Sequence, residues 1–205
     1  MHRRAESRAL FAALSVLVAL SFLSGCATQA PRPQQPVPQN LSELNGWQAR
    51  GRIGVSGGQG GGSGSFDWQQ QGEHADVQIR GPVGIGSVQL QVDGSAQDPE
   101  VKLRTADGTT LESQDAWNEL EARLGAPVPA GNLRFWMLGI AAPGEHEWHQ
   151  ADSQGVTALD QGGWRIEYQQ FSEAPGARVP TKISAASGAT RVRIVIDRWQ
   201  LGSLK

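Results

Sequence analysis

From about residue 60 onward, apolar and polar residues alternate along most of the chain. Successive side chains of a β-strand point to opposite faces of a sheet, so each alternating segment predicts a strand with one apolar and one solvated face. The clearest segments are 66–69, 76–80, 88–93, 101–104, 164–169 and 191–197. Glycine-containing turns at 71–73, 93–95, 107–108, 161–163 and 187–188 separate strands. Such short connections make neighbouring strands antiparallel, and we expect about eleven strands, many of them about five to seven residues long.

Three segments follow a helical period instead. The segment 115–124 places Trp117 and Leu120 on one apolar face, with Ser113 or Asp115 as a candidate cap. The segment 133–139 places an apolar stripe on a second short helix that ends at a glycine. The apolar residues of 41–47 are also at helical spacing, which predicts a short helix at the start of the folded domain. A curved antiparallel sheet with short helices over its mouth satisfies both periods in one β-rich domain.

Four tryptophans lie on the predicted apolar faces. Trp68 and Trp164 are on strands, whereas Trp117 and Trp136 are on helices. Packing in a core accounts for each of them singly. Together with branched aliphatic residues on a concave sheet, they also predict a cavity for an apolar ligand. The pattern leaves both roles open.

The amino-terminal segment indicates export and lipid attachment. A basic start precedes an apolar run at 9–23, which is shorter than the roughly 20 residues of a transmembrane helix and is typical of a secretory signal. The run ends in Leu23-Ser24-Gly25-Cys26, which resembles the bacterial lipobox, where the cysteine is lipidated and the signal is cut before it. We expect a signal peptide over 1–25, a lipidated Cys26 with a Pro/Gln-rich tether over 26–40, and one domain over 41–205. Ala27 in place of an aspartate favours outer-membrane delivery, facing the periplasm, by resemblance to lipoprotein sorting rules.

Composition excludes several classes of protein. The 18 basic and 20 acidic residues give a net charge of −2, which argues against a nucleic-acid partner. Without the signal peptide these counts become 15 and 19, a net charge of −4. The single cysteine excludes an internal disulfide and a cysteine zinc cluster.

The candidate chemistry is weak. The cluster Glu145-His146-Glu147-Trp148-His149 lacks the spacing of a known metal motif, because His146 and His149 fall on opposite faces of a strand, and we expect a solvated edge strand there. The run 57–64 is rich in glycine but lacks the spacing of a phosphate loop, which favours a flexible hairpin loop. We expect no metal, no cofactor and no enzymatic activity.

Several segments, in order, resemble the LolB family of outer-membrane lipoprotein receptors. They are LSELNGWQARGR at 41–52, FDWQQ at 66–70, GPVG at 81–84 with VQL at 88–90, LRFWMLG at 133–139, GWRIEY at 163–168, VP at 179–180 and RIVIDRW at 193–199. The resemblance implies an incomplete antiparallel β-barrel whose apolar cavity, covered by helices, takes the acyl chains of lipoproteins. It also implies that the protein receives them from the periplasmic carrier LolA and inserts them into outer-membrane lipid. No cofactor or catalysis is implied, and we expect a monomer.

The resemblance also assigns residues to roles. A protruding apolar side chain that serves membrane insertion in the family corresponds to Val83, with Ile85 nearby. The expected cavity walls are Phe66, Trp68, Val77, Ile79, Leu90, Trp164, Ile166 and Ile194, and the expected lid residues are Trp117, Leu120, Trp136 and Met137. The alternative is an envelope lipoprotein that binds another apolar ligand, or scaffolds a complex, without passing cargo on.

Overall fold

The structure is a computed structural model, and it describes residues 41–57, 60–81, 87–124, 129–150, 152–153, 155–174 and 177–202. The predicted signal peptide, Cys26 and the tether lie outside the described residues, as do Val83 and Ile85. No helix in the described part of the chain is long and apolar enough to cross a bilayer.

Eleven antiparallel strands form one sheet within the described ranges. They are β1 (Gly46–Gly57), β2 (Gly60–Gln71), β3 (His74–Arg80), β4 (Ser87–Gly94), β5 (Pro99–Thr105), β6 (Thr110–Glu112), β7 (Glu147–His149), β8 (Thr157–Gln161), β9 (Trp164–Ala174), β10 (Ala177–Ser187) and β11 (Thr190–Leu201). Their order across the sheet is β6-β5-β4-β3-β2-β1-β11-β10-β9-β8-β7. Two meanders of consecutive strands therefore meet at the β1–β11 pair, while β6 and β7 form the two outer edges. This confirms the mainly β, incomplete-barrel prediction.

Curvature is introduced where β1 pairs with β11. The register between these strands shifts between Arg50 and Gly51, which marks a β-bulge. A Cβ atom at Gly51 would lie 2.0 Å from the carbonyl oxygen of Val195, so only glycine fits there. A second irregularity, around Pro180 and Lys182, lies in the β9–β10 pair. Such bulges bend strands, and both of these lie between inner strands of the sheet, away from its edges β6 and β7.

The two helices, α1 (Ser113–Leu124) and α2 (Ala130–Leu138), lie in sequence between the edge strands β6 and β7. Helix α1 begins two residues before the predicted segment. Helix α2 ends at Gly139, whose left-handed conformation (φ 77°) lets the last N–H groups bond back to the carbonyls of Phe135 and Trp136. Both helices pack on the apolar face of the sheet, and together we call them the helical lid.

Three local predictions differ from the structure. Over 41–47 the structure has only a 3₁₀ turn, Leu41–Glu43, and Trp47 lies in β1. The centroid of the Trp47 ring lies 5.4 Å from that of Trp68 and 5.3 Å from that of Trp199. This buried aromatic contact between strands outweighs the helical spacing.

Five strands reach 11 or 12 residues, longer than expected. The glycine-rich run is not mainly a loop, because residues 60–64 pair with 53–57. Backbone pairing needs no side-chain alternation, so strands continue through glycine.

Candidate functional site

An apolar cavity of about 140 Å³ lies between the concave face of the sheet and the helical lid, and its exposed lining is entirely apolar. Strands of both meanders contribute to its walls, so the cavity exists only because the β1–β11 pair joins them. The lining residues are Ile53, Phe66, Trp68, Val77, Ile79, Val88, Leu90, Leu120, Pro129, Leu133, Trp136, Met137, Trp164, Ile183, Ala185, Val192 and Ile194.

The structure brings together most of the residues assigned from sequence. All the expected wall residues line the cavity except Ile166, which is 1% exposed in the adjacent core. Of the expected lid residues, Leu120, Trp136 and Met137 line it, whereas Trp117 packs against the core without reaching the lining.

Sequence reasoning missed several lining residues. Val88 and Val192 belong to alternating segments whose period was recognised, and Leu133 lies on the recognised helical stripe. Ile183 and Ala185 alternate with polar residues of β10 over too short a stretch to stand out. The missing signal was therefore strand pairing, which decides which apolar side chains reach the cavity and which end in the core.

The indole N–H groups of two lining tryptophans, Trp68 and Trp136, form hydrogen bonds with glutamine side chains. The indole Nε1 of Trp68 donates to Oε1 of Gln70 at 2.9 Å. The indole Nε1 of Trp136 donates to Oε1 of Gln161, also at 2.9 Å. Because both N–H groups already have partners, these two tryptophans need no polar contact from an occupant of the cavity, and a hydrocarbon leaves neither of them unpaired.

Buried hydrogen bonds connect helix α2 and the segment after it to strands β8 and β9. The Gln161 side chain accepts from the N–H of Ala142 at 2.9 Å and donates to the Ala142 carbonyl at 2.8 Å. The hydroxyl of Tyr168 donates to the Trp136 carbonyl at 3.1 Å. Burial raises the pKa of Tyr168, so the phenol stays protonated and keeps this donor. These bonds fix the position of Trp136 over the cavity.

Charged clusters lie away from the cavity. The predicted edge strand around Trp148 is confirmed as β7, where Nε2 of His149 lies 2.7 Å from the Asp160 carboxylate on β8. His74 lies between two carboxylates, 2.6 Å from Asp93 and 3.0 Å from Asp76. No group of three or more metal-binding side chains is placed to hold an ion within the described ranges.

The fold has a counterpart among solved structures. The crystal structure of a DUF1329 family protein from Desulfovibrio piger matches with a TM-score of 0.55, covering 78% of this chain and 87% of that one. The two sequences are only 10% identical, so the likeness concerns the fold alone.

Sequence comparison is more specific. The protein named outer-membrane lipoprotein LolB of Stutzerimonas stutzeri is 30% identical over 189 residues, covering 87% of this chain and 90% of its own length. The protein of the same name from Chromohalobacter salexigens is 31% identical over 194 residues, with coverages of 90% and 88%. The family described as outer membrane lipoprotein LolB matches residues 45–199, which span both meanders, the cavity and the helical lid. The chain therefore belongs to the LolB family.

Proposed function

We propose that this chain is a lipid-anchored receptor of the outer membrane that accepts lipoproteins from the periplasmic carrier LolA and inserts them into that membrane. The observation that carries the proposal is the wholly apolar cavity under the helical lid in a chain of the LolB family. Acyl chains are the part of a lipoprotein that such a surface binds, because each buried CH₂ contributes about 0.8 kcal/mol. Lipidation of Cys26 supplies the anchor and leaves the domain facing the periplasm.

The size of the cavity says what must move. Its volume of about 140 Å³ is smaller than the roughly 300–1,000 Å³ of sites that enclose drug-sized ligands. A long acyl chain therefore enters only if part of the helical lid moves outward. Helix α1 is the part we expect to move, since the buried bonds to Gln161 and Tyr168 hold α2. In this proposal, the structure with α1 packed over the cavity corresponds to the receptor without cargo.

Transfer in this scheme needs no cofactor and no chemical step. Cargo moves from carrier to receptor to membrane if each binds the acyl chains more tightly than the one before, because exchange then runs downhill in free energy. The apolar loop residues Val83 and Ile85 serve the last step by entering the lipid surface. The alternative, a lipoprotein that binds an apolar ligand or scaffolds a complex without passing cargo on, predicts no movement of cargo.

A transfer assay separates these functions. The mature chain with Cys26→Ala, which cannot be lipidated, is mixed with a LolA–lipoprotein complex, and the lipoprotein is followed by co-purification. Movement of cargo onto the chain supports the receptor. Cargo that stays on LolA, when LolA is shown to release it to a lipidated receptor from a related species, rejects the proposal in favour of the alternative.

A further inference from the structure

A second concave site lies on the outer face of the sheet, opposite the cavity. Its volume is about 610 Å³, and its walls carry Arg165 of β9 with Arg191 and Arg193 of β11. We call it the arginine groove, and its floor is made of small residues, Gly54, Ser56, Ser184 and Ala186.

Strand register explains why these side chains share one face. Arg191 pairs with Ala186, which in turn pairs with Arg165, and Arg193 pairs with Ser184. The intervening residues Ala185 and Val192 border the groove as well, and they also line the apolar cavity. Because neighbours along a strand point to opposite faces, the arginine groove is the back of the cavity wall.

The groove has an excess of positive charge. Glu167 is the one carboxylate in its lining, and its Oε2 accepts from the Ser184 hydroxyl at 3.0 Å. Arg165 is paired with Asp160 at 3.1 Å. Arg191 donates to backbone carbonyls of its own hairpin, and neither it nor Arg193 has a carboxylate within 4.0 Å among the described residues. Two guanidinium groups are thus left for an outside anion, in a chain whose overall charge is −2.

The groove lies at one end of the sheet. Arg191 follows the β10–β11 turn, and Arg165 follows the β8–β9 turn. β3 ends toward the same end of the sheet, since Ser65 pairs with both Arg80 and Arg52, and Ser56 farther along β1 pairs with Arg191. Val83 follows Arg80 by three positions in the sequence. A protein that meets a membrane with this end brings the arginines to the depth of the lipid headgroups.

We propose that the arginine groove binds the phosphate of an anionic phospholipid headgroup and so holds this end of the receptor against the membrane. The inference rests on the proposed function, because an anchored receptor always has lipid beside it. Guanidinium groups form paired hydrogen bonds with phosphate oxygens. The groove is also large enough for a glycerol headgroup with its phosphate, and its small floor residues leave that space open.

The test measures binding of dihexanoyl phosphatidylglycerol, below its micelle concentration, to the lipidated full-length mature protein in a nonionic detergent. We expect saturable binding that weakens with salt, and a loss of roughly tenfold or more in affinity for Arg191→Gln combined with Arg193→Gln. Arg193→Gln alone should weaken binding less, and it guards against an effect of Arg191 on the hairpin. Dihexanoyl phosphatidylcholine should bind more weakly than the anionic lipid to the unchanged protein.

The matched control removes two charges elsewhere, Arg104→Gln with Arg198→Gln, both on exposed positions of the sheet. Equal losses for the two double variants would overturn the proposal, because net charge alone would then explain binding. Inorganic phosphate that competes as well as the lipid at equal concentration would also overturn it. So would normal lipid binding by the Arg191→Gln and Arg193→Gln double variant, including the case in which that variant fails to receive cargo from LolA. Cargo transfer that is absent in the unchanged protein, while lipid binds to it and is lost in the Arg191→Gln and Arg193→Gln double variant, rejects the proposed function and leaves the headgroup site standing.

Discussion

The indole N–H of Trp136, at the roof of the cavity, donates to the side-chain oxygen of Gln161 at 2.9 Å, although the two residues lie 25 positions apart. The same glutamine forms two hydrogen bonds with the backbone of Ala142. One buried amide thus joins the helical lid, the segment after it and strand β8. The roof over the cavity depends on this amide as much as on apolar packing.

Gln161→Leu should destabilise the fold strongly. The substitution keeps the approximate volume but leaves the Trp136 indole and both polar groups of Ala142 without partners, and each buried unpaired group costs about 1–3 kcal/mol. We expect a loss of about 3 kcal/mol or more in the free energy of unfolding, measured by urea denaturation. Gln89→Leu, on the exposed face of β4, is the control and should change it by less than about 0.5 kcal/mol. A loss for Gln161→Leu no larger than that of the control would contradict this role.

Gly51→Ala should also be destabilising, for a steric reason. The added Cβ would lie 2.0 Å from the Val195 carbonyl oxygen and 2.9 Å from the Ile196 Cα, both backbone atoms. The strand pair at the bulge would have to separate, and we expect a loss of at least about 2 kcal/mol. Gly54→Ala, three residues along β1, meets no atom within 4 Å and should leave stability nearly unchanged. Thermal unfolding of the two variants gives the comparison, and similar melting temperatures would refute the argument.

Filling the cavity should block acyl-chain binding without unfolding the domain. Ala185→Phe extends a side chain from β10 into the apolar space. We expect at least a tenfold loss of affinity for a fluorescent fatty acid, and loss of cargo transfer from LolA. Gln89→Phe adds a ring on the solvated face and should bind as the unchanged protein does. Normal binding by Ala185→Phe, with the fold intact, would place the ligand site elsewhere.

Val83→Glu with Ile85→Glu tests the membrane-insertion loop. Two carboxylates at these positions oppose entry into lipid, so we expect cargo to move from LolA onto the variant and remain there. The measurement is cargo recovered in liposomes against cargo on the receptor. Gln89→Glu with Gln200→Glu adds the same charge on the strands and should insert cargo normally. If both steps fail together, or neither fails, the loop does not have this role.

His74 should make stability weakly dependent on pH. Hydrogen bonds with two carboxylates raise the pKa of His74 above 6.5, and the bond with Asp93 has the larger effect, followed by that with Asp76. A raised pKa in the folded state means that the stabilisation is complete below the unfolded value of about 6.5 and is lost as pH rises through the folded value. The pair is half exposed, so the change should be below about 1 kcal/mol. NMR titration should give a His74 pKa above 6.5, and His74→Gln should flatten this part of the pH profile; a lower value would refute it.

Much of the fold follows from local pattern, because alternation in β3, β4, β9 and β11 identifies strands that are half buried. The helical lid was predicted for the same reason, since Trp117 and Leu120 repeat at helical spacing. The errors arose where pairing overrides pattern. Trp47 is held in β1 by aromatic neighbours from distant segments, and Gly60 begins β2 although glycine predicts a loop.

The cavity was predictable as a class of site but not in its outline. Ile166 and Ile194 have the same apolar character and the same alternation, yet only Ile194 reaches the lining. The register of the two meanders decides this difference, and it is a long-range property. Gln161 gave no signal at all, because a single glutamine beside a turn has no pattern that marks it as buried.

The order of the strands has a mechanical consequence. The helical lid belongs to the segment that runs from one sheet edge, β6, to the other, β7, and no ladder in the described part of the chain joins these two edges. The outward movement of helix α1 that we propose for cargo entry would therefore leave all ten strand-to-strand pairings intact. Opening would then be decided at the contacts between α1 and the sheet, without any change in the pairing of the wall.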